Sequence, residues 1–169
     1  QGYEYKDIHM VLLASTADAN PNVAEVAADY FVNRGQEKDA AKYKAAMKDC
    51  KSWQAKTRLA EAANKNTTSM FSSVKTALQN EILASLNAAK NPYEKAAWLK
   101  AWASELRNFE SIPKYTQPDQ SIQVRTQAVT SLIDACRDKN FDAYFAGEGY
   151  LIKSQIGGYL VNAMKSGDA

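Results

Sequence analysis

Apolar residues recur along this chain at intervals of three and four between short polar breaks, and that spacing predicts helices nearly from end to end. Ile8, Val11, Leu12 and Ser15 have helical spacing in the first element, although Tyr3 and Tyr5 alternate. Asn20-Pro21 is a start signal, an N-cap type followed by the residue suited to a first helical turn. The helix it opens directs Val23, Val26, Ala27, Tyr30 and Phe31 inward and stops at Gly35. A long helix is expected over 37–63, with Tyr43, Met47, Cys50 and Thr57 on one face and Ala46 and Trp53 on its flank.

Asn64-Lys65-Asn66 with Thr67 and Thr68 breaks that helix and caps the next, which carries Phe71, Val74, Leu78, Ile82 and Leu86. Asn91-Pro92 repeats the start signal ahead of Trp98, Leu99, Trp102, Leu106 and Phe109. Pro113 and Pro118 deny a continuous helix over 110–120, the longest irregular connection expected. A helix over 121–139 turns Ile122, Val129, Leu132, Ile133 and Cys136 inward. Asn140 then caps a short turn through Phe141, Tyr144 and Phe145, and Gly147-Glu148-Gly149 makes a turn. The last helix carries Ile152, Ile156, Tyr159, Leu160 and Ala163, with Gly157-Gly158 inside it at a cost of about 1 kcal/mol each relative to alanine. Close packing against a neighbour or a simple break would account for that pair. The expected fold is all-α: one helical domain over 1–169, a bundle of six to seven helices.

Composition narrows the function more than the fold. The chain has 169 residues with one histidine, two cysteines, 7 glycines and 4 prolines. A hydrophobic fraction of 46% supplies a core, and 21 basic against 19 acidic residues leave a net charge of +2, too small to point to nucleic acid or a membrane surface. The apolar run Met10-Val11-Leu12-Leu13-Ala14 falls far short of the roughly 18 residues a spanning helix needs. A chain opening on Gln1 fits signal cleavage or a cloning boundary. Together with the cysteine pair, that places a secreted or periplasmic protein ahead of a cytoplasmic one.

Most metal and nucleophile chemistry lacks its residues. A di-iron bundle needs two Glu-x-x-His pairs, a zinc site more ligands than two distant cysteines and one histidine, and a c-type haem Cys-x-x-Cys-His. No loop has the Asp-x-Asp-x-Asp-Gly pattern of a calcium site. A Ser or Cys nucleophile would have to use His9 as its base, and His9 reads as a solvated residue on an exposed helix face. No metal, cofactor or catalytic residue is therefore assigned. Carboxylates are the remaining general acid–base option, with Glu25 and Asp29 one turn apart and Glu105 and Glu110 beside the aromatic segment. Pairs within one helix do not face each other across a cleft. Ala146-Gly147-Glu148-Gly149-Tyr150 lacks the third glycine, lysine and hydroxyl residue of a phosphate loop.

Three features could serve a partner. In the aromatic segment, Leu99, Trp102, Leu106 and Phe109 form the core face, leaving Trp98 at its edge and open to a ligand or partner helix. Lys44, Lys48, Lys51 and Arg58 make a basic ridge on the long helix, diluted by Asp49 and Glu61 and without interleaved aromatics to stack bases, so nucleic acid is disfavoured. Cys50 and Cys136 both fall on apolar stripes and are candidates for a disulfide. Asn66-Thr67-Thr68 also fits the N-glycosylation acceptor pattern. The expected function is non-enzymatic: an interaction, adaptor or assembly protein acting on a protein partner or on itself. The alternatives are a carrier holding an apolar small molecule within the bundle, and an enzyme using carboxylates.

Overall fold

Two asparagine side chains begin helices by closing their first turns. Asn20 Oδ1 accepts from the backbone N–H of Asn22 at 3.0 Å, and Asn91 Oδ1 accepts from the N–H of Tyr93 at 2.9 Å. Each is followed by a proline at the first helical position, whose missing N–H costs nothing there. The computed structural model describes residues 5–67, 73–138, 141, 145 and 147–165. Among these residues every regular element is helical and the fold is all-α. The helices are α1 (Tyr5–Ser15), α2 (Pro21–Arg34), α3 (Ala40–Ala46), α4 (Trp53–Asn66), α5 (Ser73–Ala88), α6 (Pro92–Ala103), α7 (Ile122–Arg137) and α8 (Gly149–Lys165). Short 3-10 segments occupy Glu37–Asp39, Leu106–Ser111 and Pro113–Thr116. No helix among the described residues is long and apolar enough to cross a membrane. The helices group into two compact units, α1 to α5 and α6 to α8.

In the first unit, α2 and α4 make the most extensive helix contact. Alanines allow it: Ala24, Ala27 and Ala28 of α2 and Ala55, Ala60, Ala62 and Ala63 of α4 are buried, so the helices meet through small side chains. Phe31 and Tyr43 fill the space beyond, their rings 5.0 Å apart. Val23 and Val26, expected inward, are exposed, because the alanine stripe and not the valines faces α4. Gly35 ends α2 where a Cβ would stand 2.4 Å from Phe31 O and 2.5 Å from Asn66 Nδ2, so only glycine fits.

The expected continuous helix over 37–63 is three elements. A 3-10 turn leads into α3, the chain turns through 47–50, and α4 starts afresh at Ser52, whose hydroxyl accepts from the N–H of Ala55 at 3.4 Å. Ser52 is the signal that apolar spacing overrode, since Tyr43, Met47 and Thr57 do all become buried. On α5, Leu78, Ile82 and Leu86 are buried as expected; Phe71, Thr68, Asn140 and Tyr144 lie outside the described residues.

The second unit packs α6 and α7 around the segment expected to be irregular. The helix expected to carry Leu106 and Phe109 ends at Ala103; Leu106–Ser111 and Pro113–Thr116 are two 3-10 pieces, 117–121 has no helix as expected, and Phe109, Ile112 and Tyr115 are buried, as are Leu99, Val124 and Leu132. Pro113 begins the second piece at a position that needs no N–H donor, so it shapes the segment without unravelling it. Gly147 turns the chain at φ +91°, a conformation that favours glycine, and α8 follows to bury Ile156. The helix runs unbroken through Gly157 and Gly158, and no described residue packs within 4 Å of where their Cβ atoms would be.

Candidate functional site

The two tryptophans exchange the roles expected of them. Trp98 is only 2% exposed, donating its indole N–H to Glu94 Oε1 at 3.4 Å, while Trp102 is half-buried. One helical turn of α6 separates them; α6 packs on α7, and the residues of α6 that are buried are Trp98, Leu99 and Ala101. Trp102 instead ties down the 3-10 segment. Its indole donates to Ser111 Oγ at 2.8 Å, Ser111 Oγ donates to Asn108 O, and Asn108 Nδ2 donates back to Trp102 O at 2.9 Å. Neither indole is among the residues lining the grooves described below.

The basic ridge does not exist as one helix face. Lys44 is on α3, Lys48 in the turn after it, Lys51 ahead of α4 and Arg58 on α4. Arg58 is bound by carboxylates: Nε lies 3.3 Å from Asp29 Oδ1, Nη1 3.4 Å from Glu61 Oε2 and Nη2 3.8 Å from Glu25 Oε1. Lys65 Nζ adds a 2.8 Å contact to Glu61 Oε1. The Glu25 and Asp29 pair therefore has a structural use, holding α2 to α4. Glu105 is likewise engaged, accepting from the N–H and Nε of Arg107 at the start of the 3-10 segment, and Glu110 is exposed.

His9 is buried rather than solvated. It meets Phe31 edge-on at 4.8 Å between ring centroids, with Tyr43 at 6.0 Å, and its Nε2 stands 3.6 Å from Asp39 Oδ2. The inward face of α1 is thus rotated from the one expected, leaving Ile8 and Val11 exposed. Sequence reasoning missed this because it scored histidine as polar, whereas imidazole has an apolar body. Among the described residues, no group of three or more His, Cys, Asp and Glu side chains is arranged to hold a metal ion.

Cys50 lies in the first unit and Cys136 in the second, and neither is disulfide-bonded in this structure. Both are half-buried. Cys50 Sγ donates to Thr16 O at 3.3 Å, in the turn after α3 and not on a continuous helix stripe. Burial pushes both thiols above the ordinary range; at Cys50 a hydrogen bond from the Thr16 side chain and Lys56 oppose it and Asp49 adds to it, and at Cys136 Lys153 opposes it. A thiol raised in this way is a poor nucleophile. Asn66 is half-buried and donates its amide to Ala62 O at 2.8 Å, so the nitrogen a glycan would take already serves the end of α4.

One concavity stands apart from these networks. Between α7 and α8 runs a groove of about 380 Å³. Ile122, Val129 and Ile133 of α7 form one wall, and Leu160, Ala163 and Met164 of α8 the other. The α7 residues were expected in the core, but they occupy the helix face next to the one that buries Val124, Ala128 and Leu132. Thr116, Thr126 and Thr130 supply hydroxyls, and of the described residues lining the groove Arg125 alone is charged. A shallower hollow of about 470 Å³ between α1 and α3 is bordered by Met10, Leu13, Lys42 and Asp49, charges of both signs at its edge. No family model matches the chain, and neither a curated protein nor a solved structure matches it.

Proposed function

We propose that this chain acts by binding rather than by catalysis, and that it binds an apolar ligand in the groove between α7 and α8. The observation that carries this reading is the openness of apolar walls to solvent: Ile122 is 53% exposed and Met164 68%. Single exposed apolar residues are ordinary on a protein surface, but a set lining one concavity is not. The groove's volume falls in the range of small-molecule sites, which pair apolar walls with a few polar groups as this one does. The carrier reading thus moves from the aromatic segment of α6 to the α7/α8 face.

Titration with the neutral dye N-phenyl-1-naphthylamine tests it, because the dye brightens in apolar surroundings. One dye per chain is expected, with binding lost when Ala163→Trp fills the groove and circular dichroism shows the helices intact. A folded wild type that leaves the dye dark, or binding unchanged in that variant, overturns the reading. A protein partner is the second reading, favoured by Tyr150 at 81% exposure beside exposed Leu151 on α8. Native mass spectrometry of protein from its natural source separates the two: retained small molecule on one side, a defined oligomer or stoichiometric partner on the other.

A further inference from the structure

We infer that the α7/α8 groove takes a single-chain lipid with an uncharged, hydroxylated head, of the monoacylglycerol class; this rests on the groove being the binding element. The head is assigned by a second hollow of about 100 Å³ that shares Thr116 and Ala163 with the groove. Among the described residues no charged side chain lines this hollow. It is bordered instead by the amides of Gln117 and Asn162 and the hydroxyl of Tyr159, all on exposed residues. Each of the three both donates and accepts hydrogen bonds, and so does an alcohol. A carboxylate head only accepts and an ammonium head only donates, so either would use half of what these groups offer while giving up its own hydration. Arg125 does not alter the choice, since it already has an interaction partner within the protein. The Thr116 hydroxyl is likewise committed, donating to Pro113 O at 2.8 Å.

Length is the second argument. Residues 113–118 lead into α7, which places the hollow at the end where Ile122 begins that helix. From there Ile122, Val129 and Ile133 line the groove along one helix face, and the first and last are about 16 Å apart along the axis. An extended alkyl chain with bonds of about 1.5 Å at angles near 111° advances about 1.25 Å per carbon, and about thirteen carbons cover that span. Leu160 and Met164 of α8 then flank the chain, and Met164 adapts to its shape. Thr126 and Thr130 are exposed, so water stays within reach of their hydroxyls.

Displacement of N-phenyl-1-naphthylamine from the full chain by 1-lauroylglycerol, by dodecanol and by laurate, each below its aggregation limit, is the test. The glycerol ester is expected to displace the dye at least about tenfold more effectively than either of the others, the ratio that two neutral hydrogen bonds supply. Gln117→Ala combined with Asn162→Ala should bring the ester down to the level of dodecanol while leaving dodecanol and dye binding as they were. Both replaced side chains are exposed, and circular dichroism should show the helices intact. Equal displacement by the ester and dodecanol, stronger displacement by laurate, or a preference untouched by the double variant overturns the inference and leaves the apolar groove standing. Dye binding that none of the three reverses has the same consequence. A folded chain that never brightens the dye overturns the groove reading, and the inference falls with it.

Discussion

His9 Nε2 lies 3.6 Å from Asp39 Oδ2 with both side chains buried, and this contact joins α1 to the start of α3. Asp39 is also held by Lys42, whose Nζ donates to Oδ1 at 2.6 Å from a side chain that is mostly in water. The two partners of Asp39 therefore differ in worth. His9→Ala removes a ring packed on Phe31 and is expected to cost about 2–4 kcal/mol, as large-to-small changes in cores do. Lys42→Ala takes a charge-assisted hydrogen bond from the buried Asp39 carboxylate but leaves the ring packing untouched, so about 1 kcal/mol is expected. Urea unfolding of both variants checks this; comparable losses at the two positions would mean that the His9 ring is not part of the core.

Trp98 and Trp102 give a second contrast. Trp98→Ala should cost roughly 3–5 kcal/mol by opening the α6/α7 contact. Trp102→Phe keeps the ring but loses the bond to Ser111, and about 1 kcal/mol is expected. It should also loosen the 3-10 segment that this bond closes. Limited proteolysis reads that out: the wild type should resist cleavage over 110–120, where Ile112 and Tyr115 are docked, and the variant should be cut there sooner.

Tyr115 is buried, and among the described residues its hydroxyl has no hydrogen-bond partner. A buried polar group left unsatisfied costs about 1–3 kcal/mol, so Tyr115→Phe removes a penalty while keeping the ring. The variant should be as stable as the wild type or more so by thermal unfolding. A clear loss of stability would show that the hydroxyl is bonded, for instance through an ordered water.

The helices were readable because their ends are written in chemistry: Asn-Pro starts at 20–21 and 91–92, Gly35, and the Gly147 turn all sit where sequence reasoning put them. Which face turns inward was much less readable. Valine and isoleucine outscore alanine on any hydrophobic scale, yet at α2 the alanines are buried because a close helix crossing selects size over apolarity. The same preference for Ile122, Val129 and Ile133 over Ala128 hid the groove, whose residues look like core from spacing alone. His9 and the break at 47–52 were missed for other reasons, an amphipathic ring counted as polar and a serine cap outweighed by a persistent stripe. The ion pairs of Arg58 join residues nearly thirty positions apart, which no local pattern reports.

The glycines should separate by what surrounds them. Gly157→Ala and Gly158→Ala meet open space inside a helix, so each should stabilise α8 by about 1 kcal/mol. Gly35→Ala drives a Cβ against Phe31 O and the Asn66 amide and should destabilise the first unit. Thermal melts of the three variants decide the matter, and a neutral Gly35→Ala would mean that the end of α2 relaxes away from Asn66.

The thiols yield the last prediction, in both mass and pH. Burial is the largest influence on each and raises it, so the folded chain holds its thiol protons more tightly than the unfolded chain does. The sign follows from linkage: this contribution to stability is fully present below the pKa of an unfolded thiol and is lost as pH rises through the raised folded values. Stability should therefore decline on the alkaline side, and less so when both positions are replaced by serine. Iodoacetamide at neutral pH should label Cys50 and Cys136 slowly in the folded chain and quickly once urea unfolds it. Without reductant, the unfolded chain should take up two adducts. If it takes up none and its mass rises by two hydrogens only after reduction, Cys50 and Cys136 are bonded to each other, and the two thiols described above do not exist in the oxidised protein.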